Sequence, residues 1–138
     1  IRQYMDLMYA ASKGYYLSCF SKTDTPFHTF KVLSEAEKIL EEAEQMVAND
    51  PELLARVRLA RLPVRYVWLV RWTQLRKECK ELGAKWPLSE SRKEVANQWL
   101  TVAKGLPGKP WTQVKLINES GVTPDKFIER FATDPQEN

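Results

Sequence analysis

The residue best suited by type to acid–base or ligand chemistry is the single histidine, His28, which lies between two aromatic side chains. Phe27 and Phe30 flank it in residues 21–32, where turn-forming residues interrupt the helical pattern. An imidazole at this position would serve as a ligand or proton donor if the loop faced a cleft. A histidine hydrogen-bonded inside a packed loop explains the same pattern, and we favour that interpretation.

Trp111 is a second candidate for ligand contact, because it follows a segment rich in glycine and proline. Residues Gly105–Pro110 cannot continue a helix. Trp111 therefore either anchors this loop onto the domain or stacks, exposed, on a sugar ring. We expect anchoring. If the chain contacts carbohydrate, we expect the contact at Phe27, His28 and Phe30, together with Trp111.

A basic ridge of one helix is the alternative candidate site, with Trp72 beside it. Its four arginines are Arg58, Arg61, Arg65 and Arg76. Arginines with an interleaved aromatic residue are typical of surfaces that bind nucleic acid or acidic polysaccharides. The preceding helix, however, offers acidic partners at helical spacing, namely Glu37, Glu41 and Glu44. We favour pairing within the chain or plain solvation, and keep an external anionic ligand as the alternative.

The sequence lacks the motifs of the common enzyme and metal sites. It has no glycine-rich phosphate loop, no GxSxG elbow and no HExxH. A nucleophilic site would have to use His28, and nothing indicates a third residue to orient it. The expectation is therefore no catalytic residue, no metal and no cofactor, and an independent hydrolase is the weakest hypothesis. Buried free thiols are favoured over a disulfide for Cys19 and Cys79.

Size and composition indicate one ordinary globular domain. The 138 residues are 43% hydrophobic and 28% charged, with a net charge of +3 that is too small to indicate nucleic-acid binding. No apolar run reaches the roughly 18 residues of a membrane span. The sequence opens at Ile1 inside a helical pattern, so we expect a fragment of a longer protein, whose targeting signal would lie elsewhere.

The stretch Asp50–Gly83 is the element that must position these residues. It carries apolar residues on two sides of one helix, which predicts a central helix packed from two sides in an all-α domain. Asp50 is expected as its N-cap, Pro51 as its first residue and Gly83 as its stop. Pro63 is expected to kink or break it.

The remaining helices complete a predicted antiparallel bundle of about five helices around this proline-interrupted centre. The first helix should pack its aromatic residues, including Tyr9, into the core. The aromatic residues at its end, Tyr15, Tyr16 and Phe20, would also suit a sugar-binding surface, but we favour core packing for them too. Serine capping boxes open two others, at Ser34 and Ser91. The predicted helices outside the centre are 1–20, 34–48, 91–104, 112–120 and 123–132. The domain would be residues 1–132, followed by a polar tail at 133–138.

Within Ala36–Leu69 the sequence resembles a family of large bacterial proteins. The matching pattern includes an alanine–glutamate pair, an acidic–proline turn, an arginine–valine step, an arginine–leucine–proline run and an aromatic residue. In this sequence these are Ala43 and Glu44, Asp50 and Pro51, Arg56 and Val57, Arg61 to Pro63, and Tyr66. The family is a domain-of-unknown-function family associated with glycan degradation, and its members look like α-glucuronidases with a (β/α)-barrel followed by a helical region.

The resemblance implies an accessory role for this chain and does not imply that it catalyses a reaction. Catalytic groups of such proteins would belong to the barrel, so no active-site residue carries over to this chain, although the parent would be a glycoside hydrolase-like enzyme. The implied function is a non-catalytic helical domain that packs on the barrel or mediates a homodimer. The implied location is secreted, periplasmic or at the cell surface. The alternative is a stand-alone module that binds an anionic ligand through the four arginines.

Overall fold

The chain folds as an all-α domain, as predicted, in the computed structural model, which describes residues 1–16, 25–117 and 121–131. These ranges contain six α-helices, two short 3₁₀ helices (Pro110–Thr112 and Glu129–Phe131) and no strand. The α-helices are α1 (Arg2–Ser12), α2 (Phe30–Met46), α3 (Pro51–Val70), α4 (Trp72–Glu81), α5 (Arg92–Lys104) and α6 (Pro124–Ile128). Helix α3 is central because it packs against both α2 and α5, while α1 packs on α2 and α6 on α5.

The central stretch is two helices that meet at Arg71, not at the predicted Pro63. Helix α3 continues through Pro63, which is exposed. Because proline has no N–H, one backbone carbonyl in the preceding turn has no helical hydrogen-bond donor. That carbonyl is on the accessible side of the helix, where the missing hydrogen bond costs the least free energy. At Arg71 the backbone turns to φ −99° and ψ 19°. Helical hydrogen bonds still cross it, from Arg71 N–H to the Val67 carbonyl and from Leu75 N–H to the Arg71 carbonyl, both 2.9 Å.

Both ends of the central stretch form as predicted. The Asp50 carboxylate accepts hydrogen bonds from the N–H groups of Glu52 and Leu53, each at 3.0 Å, and Pro51 is the first helical residue. At the other end Gly83 adopts φ +59°. Its N–H and that of the next residue bond back to carbonyls of the last turn of α4, which is the Schellman arrangement that glycine favours.

Helix α2 begins at Phe30, earlier than the predicted capping box at Ser34. Its N-cap is Thr29, whose hydroxyl accepts a hydrogen bond from an N–H of the first turn at 3.3 Å. The Glu78 carboxylate, from α4, accepts a second one from Phe30 N–H at 2.7 Å. The capping box is therefore wrong, and Ser34 lies inside the helix. A local pattern could not indicate Glu78, because the fold brings that residue to α2 from another helix.

Tryptophan rings fill the core between these helices. Trp86, from the loop between α4 and α5, packs against Phe30, Trp68 and Trp72 with ring centroids 5.1–6.2 Å apart. Its indole N–H donates to the Ser89 carbonyl at 3.1 Å, so the buried ring keeps its polar group satisfied. The sequence indicated only a loop at Trp86, whereas the ring is part of the main core cluster.

The capping box predicted for α5 forms in one direction only. The Ser91 hydroxyl accepts a hydrogen bond from Glu94 N–H at 3.3 Å. The Glu94 carboxylate accepts one from the Ser89 hydroxyl instead of returning to the cap residue. Helix α5 ends at Gly105, as predicted.

After α5 the chain folds back on Gly105. Thr112 is fully buried there, and its hydroxyl accepts from Leu106 N–H at 2.8 Å and donates to the Lys109 carbonyl at 2.7 Å. Gly105 has φ +68°, and a Cβ added to it would lie 2.6 Å from the Thr112 hydroxyl. Glycine is therefore required at this position by conformation and by space.

Three predicted helices are shorter than expected or absent. Helix α1 ends at Ser12, and Tyr15 and Tyr16, which were expected in the core, are exposed. The helix predicted over 112–120 is wrong in the part described, since residues 113–117 are not helical. The last helix divides into α6 and the 3₁₀ helix that follows it. Parts of these predictions lie outside the described residues, at 17–24, 118–120 and 132–138.

Candidate functional site

Three of the four ridge arginines pair with α2, as the sequence predicted. Arg61 is central: its Nε donates to Glu37 at 2.8 Å, its Nη1 donates to Glu44 at 2.7 Å, and its Nη2 also donates to Glu37. The Arg58 Nε donates to Glu44 at 3.0 Å. The Arg65 Nε lies 2.9 Å from the Glu37 Oε1. We call these five residues the arginine–glutamate seam.

Glu37 is buried, which its prediction as an acidic partner of the arginines did not indicate. It lies next to Ala36 in the row that also buries Leu33 and Leu40, and only 3% of it is exposed. Glu41, the third predicted acidic partner, is exposed and forms no ion pair with the described residues. The seam therefore uses two of the three glutamates.

Burial and charge set the protonation of the seam. Burial disfavours the Arg61 cation, but Glu37 and Glu44 outweigh it and raise the pKa of Arg61. Burial likewise opposes the Glu44 anion, while hydrogen bonds from Arg61 and Arg58 bring the pKa of Glu44 below its ordinary value. For Arg65, burial lowers the pKa and Arg61 adds repulsion, which Glu37 offsets only in part.

A groove of about 330 Å³ runs beside the seam. Its charged side consists of the three seam arginines and Glu44. The facing side, from α5, is formed by Val95, Gln98, Trp99, Thr101 and Val102. The Trp99 indole N–H donates to the Leu62 carbonyl at 3.1 Å, which fixes that ring against α3. Clefts with an apolar wall and a few charged groups are the usual binding sites for small ligands.

Arg76, the fourth predicted member of the ridge, lies apart from the seam. It belongs to α4, beyond the junction at Arg71. Its guanidinium lies over Trp86, 4.6 Å from the ring centroid, and over Trp72 at 5.7 Å, and it pairs with Glu90. Trp72 is therefore its neighbour, as expected, but the four arginines do not form one surface.

The predicted aromatic patch around His28 offers little surface to a ligand. Phe27 and Phe30 are both buried. The His28 Nδ1 lies 2.6 Å from the Thr25 hydroxyl, and burial, then the nearby Arg71 charge, lowers the pKa of His28. These are the contacts of a histidine hydrogen-bonded in a packed loop. Ligand binding by the three residues stays a prediction, which the burial of both rings disfavours.

Trp111 anchors its loop through the indole N–H, while its ring is 56% exposed. The indole N–H donates to the Glu52 carboxylate at 3.1 Å, and the Lys109 ammonium donates to the same carboxylate at 3.0 Å. Glu52 lies at the start of α3, whereas His28 lies near Arg71, beyond its end. The length of α3, about 30 Å at 1.5 Å per residue, separates them. Trp111 and His28 therefore do not share one ligand site.

Cysteine and metal chemistry offer no further site in the described ranges. Cys79 is free and buried, and its thiol donates to the Ala84 carbonyl at 3.1 Å, while Cys19 lies outside those ranges. No group of three or more histidine, cysteine, aspartate or glutamate residues is placed there to hold a metal ion. Nor does that part of the chain contain a helix long and apolar enough to cross a membrane.

No protein-family model, curated protein or solved structure matches this chain. The resemblance to glycan-associated proteins therefore stays a prediction. The secreted, periplasmic or cell-surface location that it implies stays one as well.

An exposed apolar row on α1 is the feature that sequence reasoning missed. Ile1, Met5 and Tyr9 are four residues apart, so they lie on one face of the helix, and 50%, 60% and 72% of them are exposed. Tyr4 and Leu7 pack against the core instead. The signal in the sequence is that apolar residues lie on more than one side of α1, whereas the sequence-based prediction places Tyr9 in the core.

Proposed function

We propose that this chain is a non-catalytic helical accessory domain that packs, through the exposed face of α1, on the barrel of a glycoside hydrolase-like protein. The observation that supports this most strongly is the apolar row of Ile1, Met5 and Tyr9. A row of large apolar side chains on one helix face is typical of a surface that a partner covers. The resemblance suggests the kind of partner, a (β/α)-barrel, and a second copy of the chain is the other occupant to be tested.

The use of the polar residues within the domain also favours a supporting role. Glu78 caps α2, Glu52 holds the loop that carries Trp111, and Arg71 donates to the Thr25 carbonyl at 2.7 Å. Each of these interactions joins separate parts of the chain to one another. Their shared effect is a domain whose parts are held together, with the apolar row of α1 left uncovered on its surface.

The polyanion alternative has less support from the geometry. Two glutamates already pair with three of its four arginines, and Arg76 stacks on tryptophan elsewhere. A nucleic acid or acidic polysaccharide needs several unpaired cations along one surface. Neither ligand is part of the proposed function.

Sedimentation equilibrium of the purified chain tests the role of α1. We expect self-association that increases with concentration, because the apolar row is uncovered when the chain is alone. The double variant Met5→Glu, Tyr9→Glu should be monomeric. Met46→Glu is the matched control, since Met46 is equally apolar and 87% exposed but lies on α2, and it should behave as the wild type does. A wild-type chain that stays monomeric and binds no apolar dye would overturn the proposal.

The gene that encodes this chain tests the identity of the partner. We expect a (β/α)-barrel region in the same reading frame. A reading frame without a barrel, combined with a stable dimer in sedimentation, would replace the barrel with a second copy as the occupant of the α1 face.

A further inference from the structure

Two seam arginines keep hydrogen-bond donors that the fold does not use. Arg61 uses its Nε and both Nη atoms against the two glutamates. Arg58 and Arg65 each present only Nε to a glutamate. The Nη groups of both form no hydrogen bond within the part of the chain that the structure describes. Arg58 and Arg65 are seven residues apart on α3, so they lie on the same helix face, and both line the groove.

The seam also carries one positive charge in excess, because three arginines face two glutamates. The excess cannot be fully hydrated, since the Arg65 side chain is only 20% exposed and that of Arg61 only 13%. A partly buried cation with incomplete pairing destabilises its site until an anion supplies the missing charge and acceptors. Burial and, after it, repulsion by the Arg61 cation lower the pKa of Arg65 as well.

The groove next to these donors suits a small, largely apolar molecule. Its volume of about 330 Å³ is at the lower end of the range for small-molecule sites, about 300–1,000 Å³. Val95, Trp99 and Val102 line its α5 side. Glu44 lies on the charged side, so a ligand with many negative charges would be repelled there, whereas a single carboxylate would balance the seam.

We propose that this groove binds a small organic monocarboxylate with an apolar body. The carboxylate accepts hydrogen bonds from the Nη groups of Arg65, and Arg58, whose side chain is 49% exposed, attracts it at the more open part of the groove. The apolar body lies against Trp99 and Val102. This site does not involve α1, so it stands or falls independently of the proposed accessory role.

Isothermal titration calorimetry with phenylbutyrate tests the proposal, with phenylbutanamide as the neutral probe of the same shape. We expect saturable one-to-one binding of the carboxylate, and at least about tenfold weaker binding of the amide, because hydrogen bonds to a charged partner are the stronger kind. Heparin should not displace phenylbutyrate. Equal binding of acid and amide, no binding of either, or displacement by heparin would each overturn the proposal.

A matched pair of α5 variants tests the location without disturbing the seam. Gln98→Glu adds a negative charge to the groove lining and should weaken phenylbutyrate binding about tenfold. Asn97→Asp adds the same charge next to it, at an exposed position outside the lining, and should leave the affinity unchanged. Similar affinities in both variants would overturn the assigned location.

Arginine variants identify the anion-binding donor. Arg65→Gln should abolish binding, whereas Arg56→Gln, which removes an exposed arginine paired with Glu52 on the same helix, should not affect it. Circular dichroism must show that Arg65→Gln is folded. If it is not, Arg58→Gln, which removes only an exposed pair, replaces it, and a several-fold loss of affinity is expected. The monomeric α1 variant should bind phenylbutyrate normally, so that failure of one proposal is distinguishable from failure of the other.

Discussion

The arginine–glutamate seam and the site of Arg76 hold the same side chain in two different ways. In the seam, Arg61 is 13% exposed and is held by two carboxylates, one of them buried. Arg76 is held by the faces of Trp72 and Trp86, and its carboxylate partner, Glu90, is 76% exposed. Arg61 is therefore held by ion pairs in a poorly hydrated region. Arg76 is held by cation–π contacts with two tryptophan rings of the core.

The seam and the Arg76 site should differ in how much stability is lost when one interacting side chain is removed. A seam glutamate that loses its charge leaves buried cations without compensation, which is strongly destabilising. Removing the Arg76 side chain leaves two tryptophans packed as before, and the loss is limited to a cation–π contact and some covered apolar surface. The seam should therefore tolerate substitution poorly, and the Arg76 site should tolerate it well.

The largest effect is expected for Glu37→Gln. It leaves Arg61 and Arg65 partly buried and short of one negative charge, which should lower the free energy of unfolding by about 3–5 kcal/mol. Urea denaturation measures this change. Glu41→Gln, on the exposed face of the same helix, is the control and should change stability by less than about 0.5 kcal/mol. Similar values for the two variants would mean that the seam is no stronger than a surface ion pair.

Acid should weaken the seam through Glu44. Its folded-state pKa is below the ordinary value of 4.5, so its contribution to stability is present above about pH 4.5 and is lost as the pH falls through the folded-state pKa. At neutral pH, Glu44→Gln should cost about 2 kcal/mol, the value typical of hydrogen bonds to charged groups. The difference between wild type and variant should shrink as the solution is acidified. A difference that is constant with pH would contradict this assignment.

Arg76→Ala should cost about 1–2 kcal/mol, from the lost contacts over Trp72 and Trp86. Thermal unfolding followed by tryptophan fluorescence gives both the stability and the environment of these rings. Lys77→Ala is the neighbouring control, since its ammonium lies 3.9 Å from the Glu81 carboxylate in an exposed pair, and it should have almost no effect. A cost equal to that of Glu37→Gln would remove the contrast between the two sites.

The smallest effect is expected within the seam itself, for Arg58→Gln. This side chain is about half exposed and pairs through Nε alone, so stability should change by less than about 0.5–1 kcal/mol. Urea denaturation of Arg58→Gln and Arg61→Gln would show whether the loss of stability increases with the burial of the substituted arginine. Equal costs for the two variants would contradict that relation.

The ion pairs between α2 and α3 could be predicted from the sequence, but the burial of Glu37 within them could not. Glutamates at helical spacing faced arginines at helical spacing across a short turn, and this predicted the partners in general. The position of Glu37 depends on which row of α2 is buried. Leu33 lies four residues before Glu37 on the same helix face, and this spacing indicates that the Glu37 side chain lies towards the core.

The separation of Arg76 from the ridge could not be predicted in the same way. Pro63 is the residue that local rules identify as a helix breaker, yet α3 passes through it. The division falls at Arg71, an ordinary helix former, whose side chain binds the distant Thr25 carbonyl. The contribution of α5 to the groove could not be predicted either. The apolar stripe around Trp99 predicts that this face of α5 is buried, but it does not indicate which helix packs against it.

The close approach of Gly105 to Thr112 has a consequence for the history of this sequence. A Cβ at position 105 would lie 2.4 Å from the backbone carbonyl oxygen of Thr112, closer than to its hydroxyl. Every residue type at position 112 carries that carbonyl, and the φ of +68° at position 105 also favours glycine. In related sequences glycine should therefore persist at position 105 whichever side chain stands at position 112, as long as the segment after α5 follows the same path. Loss of this glycine would mark a lineage in which that segment has been rebuilt.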